Sequence, residues 1–354
     1  MGLSRNLRIV LSAVLLGLLP HLAGGADAGY SHFFASQVVN FTPGPGYEYA
    51  PNVENAVGGP RGGGMYSGSL HVVSLGQQGR LTLGFGGGAI ADGPGSDFIV
   101  FENPINLYSP TRVFAELIRV QVSSNGTDFA EFPTSCGVPG PVGPTGGLDP
   151  ALVSGFAGVH PVLANVDANQ IDPFAPAAAG GDAFDLSALA GEPLVQAGLV
   201  NLNSIRFVRL VDVLGDGSER DSRSPAHAVY DPTGNMPQEY GGYPTSADVD
   251  AVSVINGKAP LAGDCNRDGM VSFADYQVLE SHFGGSGGWE QGDCNGDGLV
   301  NFADYQVMEA NFGNSVPEPG TLAMLLAGAA FMCRGHLARA SGDPRARRPR
   351  DNNG

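Results

Sequence analysis

Basic side chains are scarce in this chain: 18 Lys and Arg stand against 35 Asp and Glu in 354 residues, a net charge of −17. Nucleic acid and anionic membrane surfaces need a basic patch to offset phosphate charge, so neither is the expected main partner. A hard cation such as calcium suits the composition better. Charged residues of both signs make up only 15%, while 42% are hydrophobic, which excludes a chain disordered throughout. The seven His are scattered, with no H-E-x-x-H and no pair at short offset, so no zinc site is read. Gly86-Gly87-Gly88 follows a strand-like run but lacks the Lys, Ser and further glycines of a phosphate loop. No nucleophile triad is arguable. Glycine is plentiful at 54, beside 26 Pro, yet it has no period of three, so the chain is not collagen-like. The length alone suggests two domains.

Eight of the basic residues lie at the ends: Arg5 and Arg8, then Arg334, Arg339, Arg345, Arg347, Arg348 and Arg350. Arg5 and Arg8 precede an apolar run from Ile9 to Leu19, too short for an ordinary membrane span, which is the pattern of a secretory signal peptide over residues 1–28. Ala26-Asp27-Ala28 supplies the small residues a signal peptidase reads, which puts the mature start near Gly29; Ala23 and Gly25 offer a second cut. At the other end Val316-Pro317-Glu318-Pro319 precedes a 13-residue apolar stretch, Thr321 to Cys333, and the Arg-rich tail. As a helix that stretch reaches about 20 Å, short of the roughly 30 Å hydrocarbon core. Its terminal position and basic flank nevertheless favour a short transmembrane helix with its N-terminal side outside. These parts, in this order, resemble the PEP-CTERM sorting signal, taken here as residues 315–354. The resemblance implies recognition and processing by an exosortase, a membrane cysteine protease and transpeptidase. It implies an exported protein of the cell surface, outer membrane or extracellular matrix, transiently anchored by the C-terminal helix.

The sharpest signal is an internal repeat. Asp264 to Gly284 and Asp293 to Gly313 are offset by 29 residues and identical at 15 of 21 positions. Each copy opens with a twelve-residue loop whose positions 1, 3, 5, 7, 9 and 12 offer the oxygens calcium requires. In the first copy these are Asp264, Asn266, Asp268, the carbonyl of Met270, Ser272 and Asp275. In the second they are Asp293, Asn295, Asp297, the carbonyl of Leu299, Asn301 and Asp304. Gly269 and Gly298 stand at the sharp turn of position 6. Val271 and Val300 at position 8 are expected to bring the two loops together by short backbone pairing. After each loop, Tyr276, Leu279 and Phe283, and likewise Tyr305, Met308 and Phe312, fall at helical spacing on one apolar stripe. Neither helix is long enough to stand alone, so folding should be coupled to metal.

Two features depart from an ordinary EF-hand. Gly263 and Gly292 precede the loops, where an entering helix would lie, and position 12 is Asp. Both resemble type I dockerin repeats, and the likeness covers Gly263 to Gly313 within a module taken as 257–314. The resemblance implies two calcium ions at the residues named and a helix face around Phe273 and Ala274 that docks a cohesin-like partner. Cellulosomal dockerins carry small polar residues where Phe273-Ala274 and Phe302-Ala303 stand. Cys265 and Cys294, at position 2 of each loop, either form a disulfide in an exported protein or remain free because the loops hold them too far apart.

Residues 29–256 contain short strand-like runs separated by Gly-Pro turns, and an all-β sandwich is the economical reading. Around Glu116 to Val122, Ile118, Val120 and Val122 share one face; Phe184 to Ala190 is the only convincing helix candidate. S-S-N-G-T-D-F-A-E-F and the later S-I-R-F-V-R-L-V-D-V resemble galactose-binding-like, discoidin-type jelly rolls. The predicted fold is therefore mainly β, a jelly-roll-like sandwich followed by a small α-helical calcium module. Asp92 and Asp97, Asp212 and Asp216, Asp248 and Asp250, and Asp167-Ala168-Asn169 cluster in turns. Solvated turn residues are the simpler account; one further calcium ion between the sandwich loops is the other. Tyr240, Tyr243 and Trp289 offer faces for a sugar or simply pack their turns.

The composite expectation is a calcium-binding surface protein of structural, matrix or glycan-recognition type, without a catalytic role. Its alternative is a polysaccharide-degrading enzyme, or an accessory subunit of one, docked through the repeat.

Overall fold

The computed structural model describes residues 31–109, 111–259, 261–266 and 270–315. The expected signal peptide and the sorting segment beyond Ser315 lie outside the described residues. Tyr30–Val316 forms one compact unit.

Two antiparallel sheets make up the sandwich. The first contains β1 (Ser31–Phe34), β4 (Ala89–Ile90), β5 (Phe98–Phe101), β9 (Asp182–Phe184) and β11 (Ala251–Lys258). Its order is β1-β11-β5-β9, with β4 also pairing β11. The second contains β2 (Gln37–Thr42), β3 (Arg80–Gly84), β6 (Ile118–Ser123), β7 (Ala130–Glu131), β8 (Phe156–Ala157) and β10 (Phe207–Asp212). Its order is β7-β6-β10-β3-β2, with β8 pairing β6.

Register explains the core. Val208 of β10 lies opposite both Val122 and Leu83, and Leu210 opposite Val120 and Leu81, giving two apolar rows across three strands. In the other sheet Val252 faces Val100 and Val254 faces Phe98. All these side chains belong to one buried cluster, so the rows pack face to face between the sheets. The alternation expected over Ile118, Val120 and Val122 is observed. The expected helix near Phe184–Ala190 is not. Phe184 ends β9, and only a 3₁₀ turn, Leu186–Leu189, follows, capped by the Asp185 carboxylate.

The turn aspartates are the larger correction. Asp97, Asp212, Asp248 and Asp250 are buried, not solvated. Asp97, Asp212 and Asp250 work as internal acceptors for backbone that would otherwise be stranded without water, and Asp248 accepts from the Ser74 hydroxyl. Asp212 accepts from the N–H groups of Gln78 and Ala247, both at 2.8 Å. Asp97 accepts from Gly93, Leu186 and the Asn256 side chain at 2.7–2.8 Å. Asp250 accepts from the Arg61 N–H at 2.7 Å. Burial pushes the Asp212 carboxyl up to about 8, against the pull of its two N–H partners.

Two ten-residue helices, α1 (Phe273–His282) and α2 (Phe302–Asn311), follow the sandwich. Ten residues rise about 15 Å, half a hydrocarbon core. Among the described residues no helix is long and apolar enough to cross a membrane. This corrects the expected transmembrane helix and the transient anchoring drawn from it, and the segment on which both rested lies outside the described residues.

Candidate calcium centre and docking face

The second loop is described throughout and shows how its oxygens are held. The Asp293 carboxylate accepts from the N–H groups of Gly296, Asp297 and Gly298 at 2.8, 3.1 and 2.9 Å, so the chain wraps around it. Gly298 reaches this path at φ 84°, a left-handed turn that favours glycine. Asn295 Oδ1 accepts from Asp297, and Asp297 Oδ1 accepts from Leu299. Asp304 closes the loop, taking the Asn295 and Asn301 N–H groups at 3.1 and 2.9 Å. Asn301 caps α2 in return, with its Oδ1 accepting from Ala303 at 2.8 Å.

The first loop repeats this plan where it is described. Asp275 accepts from the N–H groups of Asn266 and Ser272 at 2.9 and 2.8 Å, and Ser272 caps α1. Trp289 Nε1 donates to the Asp264 carbonyl at 2.6 Å. Asp268 lies outside the described residues. Asp264, Asp275, Asp293 and Asp304 are buried, while Asn266, Asn295 and Asp297 are exposed. No described Lys or Arg pairs with Asp275, Asp293 or Asp304. Buried carboxylates without a basic partner, ringed by amide and carbonyl oxygens, form the donor set a hard cation takes.

The pairing expected between Val271 and Val300 is replaced by another. Val271 bonds Asn314 and Gly313, beyond α2, and Val300 bonds Gly285 and Gly284, beyond α1. Each loop is thus strapped to the end of the opposite helix. Gly263 and Gly292, at φ 99° and 104°, pass against the backbones of Met308 and Leu279; a Cβ would sit 2.9 and 2.7 Å from those Cα atoms. That crossing buries Leu279, Met308, Val271, Val300, Cys265 and Cys294 as one small core. The two thiol sulfurs are 3.3 Å apart, so the loops do not hold them too far apart to join.

Only part of the expected helix stripe is core. Leu279 and Met308 are buried, and Tyr276 meets Tyr305 edge-on with centroids 6.1 Å apart. Phe273, Phe283, Phe302 and Phe312 are 54–62% exposed and frame a groove of about 780 Å³ between the helices. Glu280 and Glu309 stand along it. An apolar face of this kind marks an interaction surface.

In the sandwich, Asp92, Asp97 and Asp185 each offer one carboxylate oxygen within 4.8 Å of the others, the one group of described carboxylates, His or Cys gathered this closely. Asp92 and Asp97 stood among the turn residues read from the sequence; Asp185 did not. Glu102 and Glu116, both buried beside Asp248, were also missed, since they sit in strand-like runs with no motif to mark them.

Residues 262–313 match the dockerin type I domain, and residues 315–339 match the PEP-CTERM protein-sorting motif. A solved type II cohesin-dockerin domain from Bacteroides cellolosolvens is 33% identical, covering 17% of this chain and 97% of that one, with a TM-score of 0.16. No curated protein matches the chain. The C-terminal module is therefore a dockerin-type domain. The protein that bears it is an exported, cell-surface protein processed by an exosortase.

Proposed function

We propose that the dockerin-type module binds two calcium ions and, so ordered, docks the exported sandwich to a cohesin-like partner. The first ion takes Asp264, Asn266, Asp268, the Met270 carbonyl, Ser272 and Asp275. The second takes Asp293, Asn295, Asp297, the Leu299 carbonyl, Asn301 and Asp304. Calcium neutralises the Asp275, Asp293 and Asp304 carboxylates, which no described Lys or Arg pairs, and by holding both loops it holds the two helices they cap. The observation that carries the docking reading is the exposed aromatic groove, with Phe273 stacked on Tyr276 and Phe302 on Tyr305 at 5.6 and 5.7 Å. The jelly-roll-like sandwich is the recognition or matrix unit that this docking displays. A third calcium ion belongs at Asp92, Asp97 and Asp185, where burial and the neighbouring Asp92 push the Asp97 carboxyl up to about 6.

Capture on an immobilised panel of cohesin domains tests the reading. The full chain should be retained in calcium and released by chelator. Phe273→Ala with Phe302→Ala should weaken retention by about tenfold or more without changing calcium binding, because large exposed aromatics carry interface energy but little fold stability. Retention that ignores both chelator and the double substitution would overturn it.

The module is further stabilised by oxidation of Cys265 and Cys294. The bridge forms by exchange with a disulfide-bearing oxidant of the exporting cell, which takes two electrons and two protons and leaves as its dithiol. Bonding requires the sulfurs to close from 3.3 Å to about 2.05 Å, a small rotamer change. Peptide mapping of the exported protein without reductant should recover the two cysteines cross-linked; finding both alkylated would exclude the bridge.

A further inference from the structure

One cavity of the sandwich has a composition that neither the calcium loops nor the docking face explains. It measures about 540 Å³, within the range of small-molecule sites. Tyr49, Tyr240 and Tyr243 lie at its mouth, 38–59% exposed, with Tyr49 and Tyr243 rings 6.1 Å apart. Its floor holds Glu116, Asp248 and Ser74, all buried. Asp248 accepts from the Ser74 hydroxyl, and its N–H donates to Glu102 Oε1 at 2.8 Å. Glu102 Oε2 is buried without a hydrogen-bond partner.

Glu116 is the telling residue. Its carboxyl lines the cavity at 8% exposure, and among the described residues no hydrogen bond or ion pair reaches it. A buried carboxylate in that position normally has a cation or donor beside it, since an uncompensated charge costs several kcal/mol. No Lys, Arg or His lines the cavity. The charged groups whose fields act most on Glu116 are Asp248, Glu102, Asp212 and Asp231, all acidic. Protonation relieves that charge while the cavity is empty; a cationic ligand would supply the partner that lets the carboxylate form, whereas an anionic ligand would add to the repulsion. A bare metal ion is disfavoured, because these carboxylates do not gather within 4.8 Å as Asp92, Asp97 and Asp185 do.

We propose that this cavity binds an ammonium-bearing saccharide, an amino-sugar unit of a surface polysaccharide, with the ammonium against Glu116 and Asp248 and the sugar face against the tyrosines. The tyrosine faces favour both an apolar pyranose face and a cation. The volume accommodates a unit of this size. The inference rests on the glycan-recognition part of the function proposed above and is independent of the calcium loops.

Proton linkage adds a signature. Burial, then the surrounding acids, holds the Glu116 carboxyl well above its ordinary range, so the empty cavity favours its protonated form. An ammonium favours the carboxylate, and binding then releases a proton, so affinity rises with pH while the ligand amine stays charged. A neutral sugar held by a protonated Glu116 would show the opposite slope.

Calorimetric titration of the full chain with the glucosamine disaccharide, its N-acetylated form and cellobiose is the test, run at about pH 5.5 and about pH 7. The free-amine disaccharide should bind at least about tenfold tighter than the other two, and tighter at the higher pH, a hydrogen bond to a charged group being worth about that factor or more. Glu116→Gln should remove this preference. Tyr243→Ala, at the solvent edge and so unable to disturb the core, should weaken binding by about tenfold. Equal binding of all three sugars, the reverse pH slope, calcium alone as the only ligand, or affinity untouched by both variants would overturn the proposal. Binding of a neutral glycan insensitive to Glu116→Gln would overturn this site yet leave glycan recognition standing, whereas no binding of any glycan would remove both. Cohesin capture is read separately and is unaffected by either outcome.

Discussion

Replacing Asp264 and Asp293 together by Ala is expected to abolish tight calcium binding by the dockerin-type module. The physical reason is visible at Asp293, which anchors three backbone N–H groups of its own loop. Removing that carboxylate takes away a proposed ligand and also the acceptor around which the loop is wrapped. Each hydrogen bond to a charged group contributes about 1.5–3 kcal/mol, so a loss of at least about a hundredfold in affinity per site is expected. Calorimetric titration of the full chain should then show neither loop site, and thermal unfolding should lose its calcium-dependent step. The sandwich transition should stay where it was, because the substituted loops lie outside its core. A titration unchanged by both substitutions would remove the calcium assignment altogether.

Phe98→Ala is expected to cost the sandwich about 3–5 kcal/mol, the usual range for deleting a buried aromatic ring. Phe98 is fully buried on β5, stacked on Phe184 with centroids 5.3 Å apart and edge-on to Phe132 at 5.9 Å. Phe132 and Phe184 also meet, at 4.9 Å, so the three rings form a closed triangle between the sheets. Deleting one leaves a cavity that the other two cannot fill without leaving their own contacts. Urea unfolding should show a lower midpoint for the sandwich with calcium binding unchanged. A shift below about 1 kcal/mol would mean that the triangle is not the centre of the core.

The dockerin-type repeat was legible because its information is local. Twelve consecutive residues carry every proposed ligand, and the repeat of Asp264–Gly284 as Asp293–Gly313 supplies an internal control. The alternation at Ile118, Val120 and Val122 was legible for the same reason, since period two is a property of one strand. The pairing of Val271 and Val300 was not. Both valines are at strand-forming positions in the loop, but which backbone they meet depends on how two helices cross, which no local pattern states.

The acidic residues of the sandwich mark the boundary most clearly. Asp residues paired at short offset read as solvated turns, and Asp212 and Asp248 were so read. Their partners lie far along the chain: Gln78 is 134 residues from Asp212, and Glu102 is 146 from Asp248. Glu116 had no signal at all, because a carboxyl in a strand-like run is normally on the solvent face. By itself the sequence determined the dockerin-type repeat, its two helices, the sorting motif and the mainly β character of the large domain. Only the tertiary structure decided which carboxylates are buried, which aromatic rings are left uncovered, and which acids share a cavity. Ligand spacing and strand period are written in neighbouring residues, whereas burial and charge environment arise from segments brought together across the whole chain.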